Sequence, residues 1–230
     1  MSNGFFVTGT DTDVGKTLVA CSLLRLLRRA GYSTAAVKPV AAGCEQTAQG
    51  LRNKDALALQ REITLDLSYA QINPVALEPA IAPHIAARHA GIELAAAGVA
   101  QSCRQVLTLG ADYTVIEGAG GWSLLLNCDE TLADVVEELK LPVILVVGLR
   151  LGCPNHALLT AAAIERSGLT LAAWVGSCSE AQTMSALDEN ISTLKSVLTA
   201  PCIGIIPHLT NATPELAENH LDMSRLMLIR

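Results

Sequence analysis

A glycine-rich loop between a predicted strand and a predicted helix constrains this chain more than any other feature. Residues 5–8 form a short apolar run that predicts a strand, and the sequence GTDTDVGKT follows as residues 9–17. The pattern from Lys16 to Arg29 then predicts a helix. Backbone N–H groups in such a loop, together with the helix N-terminus, bind phosphate groups. The order of these elements therefore predicts a nucleotide site.

The spacing of this loop departs from the usual G-x-x-x-x-G-K-[ST] pattern. Five residues separate Gly9 from Gly15, and the usual first glycine falls on Thr10. In loops of this kind the lysine reaches the β- and γ-phosphates and the following hydroxyl binds Mg²⁺, which assigns these roles to Lys16 and Thr17. The alternative, a glycine-rich turn without a ligand, does not explain a Lys-Thr pair that opens a helix directly after a glycine.

The rest of the chain alternates short β-rich runs with longer helical patterns. The sequence predicts further strands at residues 33–40, 113–117, 142–148, 169–175 and 202–206, and further helices at residues 54–61, 92–109, 132–139, 155–167, 184–198 and 216–229. Residues 45–90 contain several X-Pro pairs and are predicted to be rich in loops. This alternation predicts one α/β domain over residues 1–230, with a doubly wound, mainly parallel sheet and helices on both faces.

Composition narrows the class of protein. Half of the residues are hydrophobic, 17% are charged and the formal net charge is −6, so we expect a large core and no nucleic-acid partner. Arg25, Arg28 and Arg29 form the most basic segment, which we interpret as a solvated helix face. The longest apolar run, residues 141–149, is shorter than the roughly 20 residues that span a bilayer. We therefore expect no membrane partner and a cytoplasmic location.

Metal and disulfide chemistry based on cysteine is not indicated. The seven cysteines form no C-x-x-C pair and are odd in number, which argues against a zinc site or a disulfide framework. His84 and His89 are five residues apart and do not share a helix face, so we interpret both as loop or surface residues.

Polar residues follow several of the predicted strands, where ligands of open α/β sheets bind. Lys38 closes the second strand, Asp55 opens a helix and Glu117 ends the central strand ahead of a run of glycines. Lys38 taken alone is equally compatible with a surface lysine, and Asp55 with an ordinary acid at a helix start. Glu117, at the end of an apolar strand, is predicted to face the phosphate loop.

Several motifs together resemble one known family. The segments GTDTDVGKT, KPVAAG, GLRNKDALALQ, EGAGGW, LPVILVVG, NHALLT and WVG follow one another as in the dethiobiotin synthetases, and the likeness extends to about Leu209. The resemblance implies a homodimeric P-loop ligase that depends on ATP and Mg²⁺. It further implies that 7,8-diaminononanoate and CO₂ (or bicarbonate) are joined to make dethiobiotin, the precursor of biotin, through a carbamate and a carbamic–phosphoric anhydride.

The resemblance also implies which residues form the site. Lys38 and Lys16 would be catalytic, and the metal ligands would be Thr17, Asp55 and Glu117. The implied nucleotide-binding residues are Asp13, Val14, Gly15, Lys16, Thr17, Leu18, Asp55, Glu117, Gly118, Ala119, Gly120, Ser177, Pro207, His208, Leu209 and Glu215. The implied substrate-binding residues are Thr12, Lys38, Ala42, Gly118 and Asn155. For Asn155, a simple helix N-cap is the alternative interpretation.

The chain departs from the family pattern at three positions. Ala42 stands where a serine hydroxyl is common, Leu125 replaces a common proline, and Ser177 replaces an asparagine whose amide contacts the adenine. A single hydroxyl cannot reproduce the paired donor and acceptor of an amide. We therefore predict that this chain distinguishes ATP from other nucleoside triphosphates only weakly.

Two other functions compete with this interpretation. An amide-forming P-loop ligase of the cobyrinate diamide synthetase type usually carries a glutaminase domain, for which 230 residues leave no room. A nucleotide switch of the partitioning type carries an additional lysine near the start of its loop, and residues 10–12 contain none. A switch hydrolyses ATP without a diamine, whereas a synthetase does not.

Overall fold

The centre of the molecule is a six-stranded sheet whose neighbouring strands are all parallel. The computed structural model describes residues 3–181 and 184–226. The strands are β1 (Asn3–Gly9), β2 (Thr34–Val37), β3 (Val40–Ala41), β4 (Glu45–Thr47), β5 (Gly50–Arg52), β6 (Val75–Ala76), β7 (Tyr113–Glu117), β8 (Val143–Gly148), β9 (Leu171–Ser177) and β10 (Cys202–Ile206). The order in the main sheet is β10-β9-β8-β1-β7-β2.

The helices connect these strands. They are α1 (Lys16–Arg29), α2 (Lys54–Glu62), α3 (Tyr69–Ile72), α4 (Pro83–His89), α5 (Ala96–Leu107), α6 (Leu132–Leu139), α7 (Cys153–Arg166), α8 (Leu187–Val197) and α9 (Pro214–Ala217), and 3₁₀ turns follow at Glu218–His220 and Met223–Arg225. In the described part of the chain, no helix is long and apolar enough to cross a membrane.

Two apolar cores lie on opposite faces of the sheet, as the side-chain alternation of β1 shows. Phe5 and Val7 pack into the core formed with α1, while Phe6 packs into the core formed with α5, α6 and α7. Strand β8 is buried along its whole length because helices cover both of its faces. The predicted doubly wound α/β sheet with helices on both faces is therefore confirmed.

The predicted second strand is wrong in its second half. Strand β2 ends at Val37, and Pro39 offers no N–H for a further ladder bond. The chain then turns away, so that β3 pairs with β6 in a separate two-stranded sheet. Residues 45–90, predicted to be rich in loops, contain the β4–β5 hairpin and three helices, and α4 includes His84 and His89.

The boundaries of several predicted helices also differ from the observed ones. Helix α7 begins two residues before the predicted start, since Gly152 is the N-cap and Pro154 occupies its first turn. The N-cap interpretation of Asn155 is therefore wrong. Helices α5 and α8 each begin later than predicted.

The predicted closing helix at residues 216–229 is wrong within the described residues, and residues 227–230 lie outside them. Helix α9 ends at Ala217, and Leu221 then forms an antiparallel bridge with Gly204 of β10. A side chain at Gly204 would collide with the backbone oxygen of His220. The absence of a Cβ atom therefore lets the chain end lie against β10 instead of continuing as a helix.

The basic segment of α1 is not a solvated face at Arg25, its first residue. The Arg25 side chain is only 17% exposed and contacts Glu62, Glu215 and Glu218 at 3.3, 2.8 and 3.1 Å. Glu218 is buried and also pairs with Arg29. This network fixes α2 and α9 against α1.

Candidate active site

The phosphate loop joins the end of β1 to the start of α1 with a strained backbone. Gly15, the N-cap of α1, has a φ of 91°, and Asp13 has a φ of 56°. A Cβ atom at Gly15 would lie 2.7 Å from the Ser177 Oγ atom. Only glycine combines this left-handed backbone with this approach to Ser177. In this conformation the backbone N–H groups at the start of α1 face the space enclosed by the loop, as phosphate binding requires.

A cluster of four side chains lies directly behind this loop, and two of them, Lys38 and Glu117, are buried. Thr17 Oγ1 donates to Glu117 Oε1 at 2.7 Å, and Lys38 Nζ donates to the same oxygen at 2.6 Å. Lys38 Nζ also lies 3.3 Å from Asp55 Oδ2 and donates to the Gly118 backbone oxygen at 3.0 Å. Strand β7 lies between β1 and β2, so their carboxyl ends bring these side chains together. Glu117 faces the phosphate loop, as predicted.

The cluster holds two carboxylates and one ammonium group in a water-poor environment. Lys38 is 3% exposed and Glu117 is 0% exposed. Burial alone lowers the pKa of Lys38, but Glu117 and Asp55 outweigh it and hold that pKa above its usual value. The Lys38 side chain is therefore a permanent cation. The interpretation of Lys38 as a surface lysine is wrong.

The oxygen atoms of the cluster fit a divalent cation. Glu117 Oε2 is buried and has no hydrogen-bond partner among the described residues, and such an orphaned oxygen calls for an unseen ligand. Thr17 and Asp55 add hard oxygen donors of the kind that Mg²⁺ prefers. Within residues 3–181 and 184–226, no three His, Cys, Asp or Glu side chains form a metal-binding group. Mg²⁺ usually needs only one or two carboxylates, because phosphates and waters complete its shell.

The second lysine is held in the loop itself. Lys16 is buried, and its Nζ atom donates to the Asp11 backbone oxygen at 2.7 Å. Burial and the nearby Lys38 charge together lower the pKa of Lys16 to about 8, against a weaker opposing effect of Glu117. An ammonium group that is partly desolvated in this way gains strongly from contact with phosphate oxygens.

This pKa predicts a pH dependence of nucleotide binding. The phosphates of ATP favour the charged form of Lys16, so Lys16 should take up a proton when ATP binds above pH 8. Affinity should fall by roughly 10-fold between pH 7 and 9, because a growing fraction of Lys16 must first be protonated. Calorimetric titration in two buffers with different ionisation enthalpies measures this proton uptake. AMP lacks the β- and γ-phosphates and serves as the control ligand, and equal pH dependence for both nucleotides would contradict the prediction.

The glycine run after Glu117 packs closely against the phosphate loop. A Cβ atom at Gly118 would lie 3.0 Å from the Phe6 ring, and one at Gly120 would lie 3.8 Å from Thr12 Oγ1. Gly120 also has a φ of 59°. The predicted substrate residues Thr12 and Gly118 therefore lie at the same end of the sheet as the lysine and carboxylate cluster.

Two of the predicted nucleotide-binding residues, Ser177 and Pro207, lie next to each other at the carboxyl ends of β9 and β10. Ser177 pairs with Ile206, and the Cys178 N–H donates to the Ile206 oxygen at 2.9 Å, which brings Pro207 beside Ser177. Ser177 is buried with its side chain towards Gly15. The predicted weak discrimination between nucleotide bases stays a prediction.

Three predicted residues lie outside the ion-paired cluster. Ala42 is half-buried, and its backbone oxygen is 3.5 Å from the Asn53 side-chain nitrogen. Asn155 is exposed in the first turn of α7. Glu215, predicted to bind the nucleotide, forms an ion pair with Arg25. The roles of these residues stay predictions.

The buried cysteine thiols are poor nucleophiles. Burial raises the pKa of Cys21, of Cys103 to about 12, and also of Cys44 and Cys153. Thiols need the thiolate form to react. The chemistry of the site therefore rests on lysines, carboxylates and backbone groups.

The sequence did not single out three polar residues that support the cluster. Asn53 caps α2 by accepting from the Asp55 and Ala56 N–H groups at 3.0 and 3.2 Å. Tyr69 and Asn73 hydrogen-bond to the backbones of Asn53 and Lys38. The capping box that begins at Ser68 is a sequence signal for the short helix α3, which carries Tyr69. A sequence pattern does not reveal what the side chains of such a helix contact.

Comparison with known sequences gives consistent matches over nearly the whole chain. A family model described as an AAA domain matches residues 3–216. The ATP-dependent dethiobiotin synthetase BioD of Pseudomonas aeruginosa (strain UCBPP-PA14) is 57% identical over 222 residues, which cover 96% of this chain and 97% of that protein. The protein of the same name from Cellvibrio japonicus (strain Ueda107) is 55% identical, with 97% of each chain covered.

Comparison with solved structures shows the fold. A ParA family ATPase from Chlorobium tepidum TLS matches with a TM-score of 0.56 at 12% identity, covering 100% of this chain and 93% of that one. The signal recognition particle receptor FtsY from Elizabethkingia anophelis, in complex with GDP, matches with a TM-score of 0.51 at 14% identity, and this chain spans 63% of its length. Identities this low carry no functional argument, whereas the full-length sequence relatives do. The chain belongs to the dethiobiotin synthetase family of ATP-dependent ligases.

Proposed function

We propose that this protein closes the cyclic urea of dethiobiotin from 7,8-diaminononanoate and CO₂, with ATP and Mg²⁺. The observation that carries the proposal is the buried contact of Lys38 with Glu117 and Asp55 directly behind the phosphate loop. Such a site provides positive charge and oxygen ligands around a γ-phosphate, which is what phosphoryl transfer needs. We place the reaction in the cytoplasm, where reducing conditions keep thiols free.

The reaction proceeds in three steps. One amine of the substrate forms a C–N bond with CO₂ and loses a proton, which produces a carbamate. A carbamate oxygen then attacks the γ-phosphorus of ATP, and the bond from that phosphorus to ADP breaks. The second amine attacks the carbon of the resulting carbamic–phosphoric anhydride, the C–O bond to phosphate breaks, and a proton leaves. The products are the cyclic urea, ADP and phosphate.

The protein contributes charge and position rather than a nucleophile, because the substrate carbamate is itself the nucleophile. Lys16 and Lys38 provide fixed positive charge where the transferring phosphoryl group gathers negative charge. Both ammonium groups are largely desolvated, so their attraction to that charge is stronger than in water. The phosphate loop and the glycines after Glu117 hold the reacting groups between them.

Thr17, Asp55 and Glu117 would hold the magnesium ion, directly or through water. An ion held there would supply positive charge next to the phosphates of ATP. The unpartnered Glu117 Oε2 atom supports this assignment. The remaining nucleotide and substrate residues are proposed on the family resemblance, with Ser177 and Pro207 beside the adenine.

A product assay tests the proposed function. The protein is incubated with the diamine, carbon-13-labelled bicarbonate, ATP and Mg²⁺, and dethiobiotin is measured by mass. We expect one labelled carbon in each product molecule and one phosphate released for each. ATP turnover should stall when the diamine is left out. Sustained ATP hydrolysis without the diamine, with no labelled product in the complete mixture, would instead support a nucleotide switch.

We also propose a homodimer whose interface includes the exposed side of α7. Leu158 and Leu159 are 43% and 64% exposed, and Leu151, just before the helix, is 90% exposed. Asn155 is exposed on the same side, because residues three and four apart share a helix face. Apolar side chains gathered in this way favour a protein contact. Asn155 would then meet a substrate carboxylate that reaches across the interface.

Replacing Leu159 with aspartate tests this interface. A buried charge in an apolar contact is costly, so we expect the variant to be monomeric in light scattering. The KM for the diamine should rise by roughly 10-fold or more, because the substrate carboxylate loses its contact with Asn155 across the interface. Leu109→Asp places the same change on another half-exposed leucine and should remain dimeric. A fully active monomeric wild type would refute the proposal.

A further inference from the structure

Lys38 directly follows the last residue of β2. Its backbone groups hydrogen-bond to residues that lie outside the main sheet. Its N–H donates to the Ile72 oxygen at 2.7 Å, and its carbonyl oxygen accepts from Asn73 Nδ2 at 2.8 Å. Pro39 follows and has no N–H to offer the ladder. The short helix α3 and the residue after it therefore fix where the Lys38 side chain starts.

The same short helix fixes the start of α2, which carries Asp55. The backbone N–H of Asn53 donates to the Tyr69 hydroxyl at 2.7 Å. The Asn53 side chain in turn accepts from the Asp55 N–H, so the two hydrogen bonds place the first turn of α2. Tyr69 thus lies two hydrogen bonds away from the Asp55 backbone.

One further hydrogen bond joins the two halves of this arrangement. The Tyr69 hydroxyl donates to Asn73 Oδ1 at 3.0 Å, and the guanidinium of Arg52 stacks on the Tyr69 ring at 4.1 Å from its centre. Burial raises the pKa of Tyr69, so its hydroxyl keeps the proton that it donates. Asn53 and Asn73 are 5% and 3% exposed, so water cannot readily replace these bonds.

We propose that Tyr69 and Asn73 are positioning residues that set the separation of Lys38 and Asp55. The Tyr69 hydroxyl and the Asn73 amide form a continuous path from the backbone of Lys38 to the cap of α2. Neither side chain needs to touch ATP or the diamine. The inference rests on the proposed function, because Lys38 and Asp55 are proposed there as the phosphoryl-transfer cation and a metal ligand.

This hydrogen-bond path should affect catalysis because it sets the positions of two groups that act on the same phosphate. Lys38 Nζ and Asp55 Oδ2 are 3.3 Å apart, and both must meet one γ-phosphate and its metal ion. A displacement of about 1 Å at such groups can cost roughly 10²-fold in rate. Groups that orient metal ligands affect metal affinity by roughly 10- to 100-fold. Loss of the path should therefore alter both turnover and the requirement for Mg²⁺.

Tyr69→Phe tests the inference with the smallest change, since it keeps the ring on which Arg52 stacks. We expect kcat to fall by roughly 10-fold and the Mg²⁺ concentration for half-maximal rate to rise by roughly 10-fold. Asn73→Ala should have a larger effect, because it frees the Lys38 carbonyl. The double variant should be no slower than Asn73→Ala alone, because both changes break the same path.

Tyr32→Phe is the matched control, because Tyr32 is half-exposed and packs edge-on against Tyr113. Tyr32→Phe should leave kcat and the Mg²⁺ requirement within about twofold of wild type, because Tyr32 has no contact with the described residues of the Lys38–Asp55 path. Thermal unfolding and ATP binding are measured for each variant, so that rates refer to folded protein. A merely structural role would lower the unfolding temperature without changing the Mg²⁺ requirement.

Two results would overturn the inference. One is a folded Tyr69→Phe protein with wild-type kcat and Mg²⁺ dependence, and the other is additive loss in the double variant. Both are read against a wild-type enzyme that makes dethiobiotin. A wild type that makes no dethiobiotin would instead reject the proposed function, so the two failures are distinguishable.

Discussion

Replacing Lys38 with glutamine is expected to lower kcat by roughly 10²-fold or more, the loss that follows removal of one preorganised charge donor. Glutamine keeps most of the side-chain length but carries no charge. The phosphate loop and Lys16 remain, so ATP should still bind. Single-turnover rates with saturating ATP and diamine measure the chemical step, and calorimetry measures the affinity for ATP.

The same substitution should also lower the free energy of unfolding. Glu117 is fully buried and shares Oε1 between Thr17 and Lys38. Breaking a buried ion pair by removing one partner costs about 3–5 kcal/mol, so rates must be taken at temperatures where the variant is folded. Lys195→Gln removes the same charge from an exposed position on α8 and should match wild type. Near-normal turnover in folded Lys38→Gln would remove Lys38 from the mechanism.

Local sequence patterns predicted the central part of the site because strand ends and helix starts are local features. The phosphate loop could be recognised from residues 9–17 despite its irregular spacing. Glu117 could be placed because it is the last residue of an apolar strand that is followed by glycines. Such a residue lies at the carboxyl end of its strand, where ligands bind. Parallel topology then puts it on the same side of the sheet as Thr17 and Lys38, and the position of β7 between β1 and β2 makes the three neighbours.

The supporting residues could not be predicted, because their partners are distant or irregular in the sequence. Asn73 contacts Lys38 across 35 positions, and Arg25 contacts Glu218 across 193. Nothing in the local pattern around Arg25 distinguishes a buried ion-pair cluster from a solvated basic face. The predicted closing helix failed for the same reason. Glu218 is drawn to Arg25, and Leu221 pairs with β10 instead of extending α9.

Glu117→Gln is expected to have an even larger effect than the change at Lys38. Its carboxylate is the common partner of Thr17 and Lys38, and its second oxygen is the buried atom that we assign to the metal ion. An amide is uncharged and its nitrogen cannot accept or bind a cation. We expect kcat to fall by roughly 10³-fold at ordinary Mg²⁺ concentrations, which combines a lost metal ligand with a misplaced lysine.

The distinguishing measurement is the dependence of this loss on the metal concentration. If Glu117 holds Mg²⁺, raising the metal concentration should recover part of the rate in Glu117→Gln, because the remaining oxygens of Thr17 and Asp55 still bind it weakly. The same titration should recover little in Lys38→Gln, where the ligands are intact and a cation is missing. Glu93→Gln removes one exposed carboxylate and should follow the wild-type titration. If Glu117→Gln keeps the wild-type Mg²⁺ requirement and loses only rate, then Glu117 acts by holding Lys38 and Thr17, and the metal ligand must be sought elsewhere.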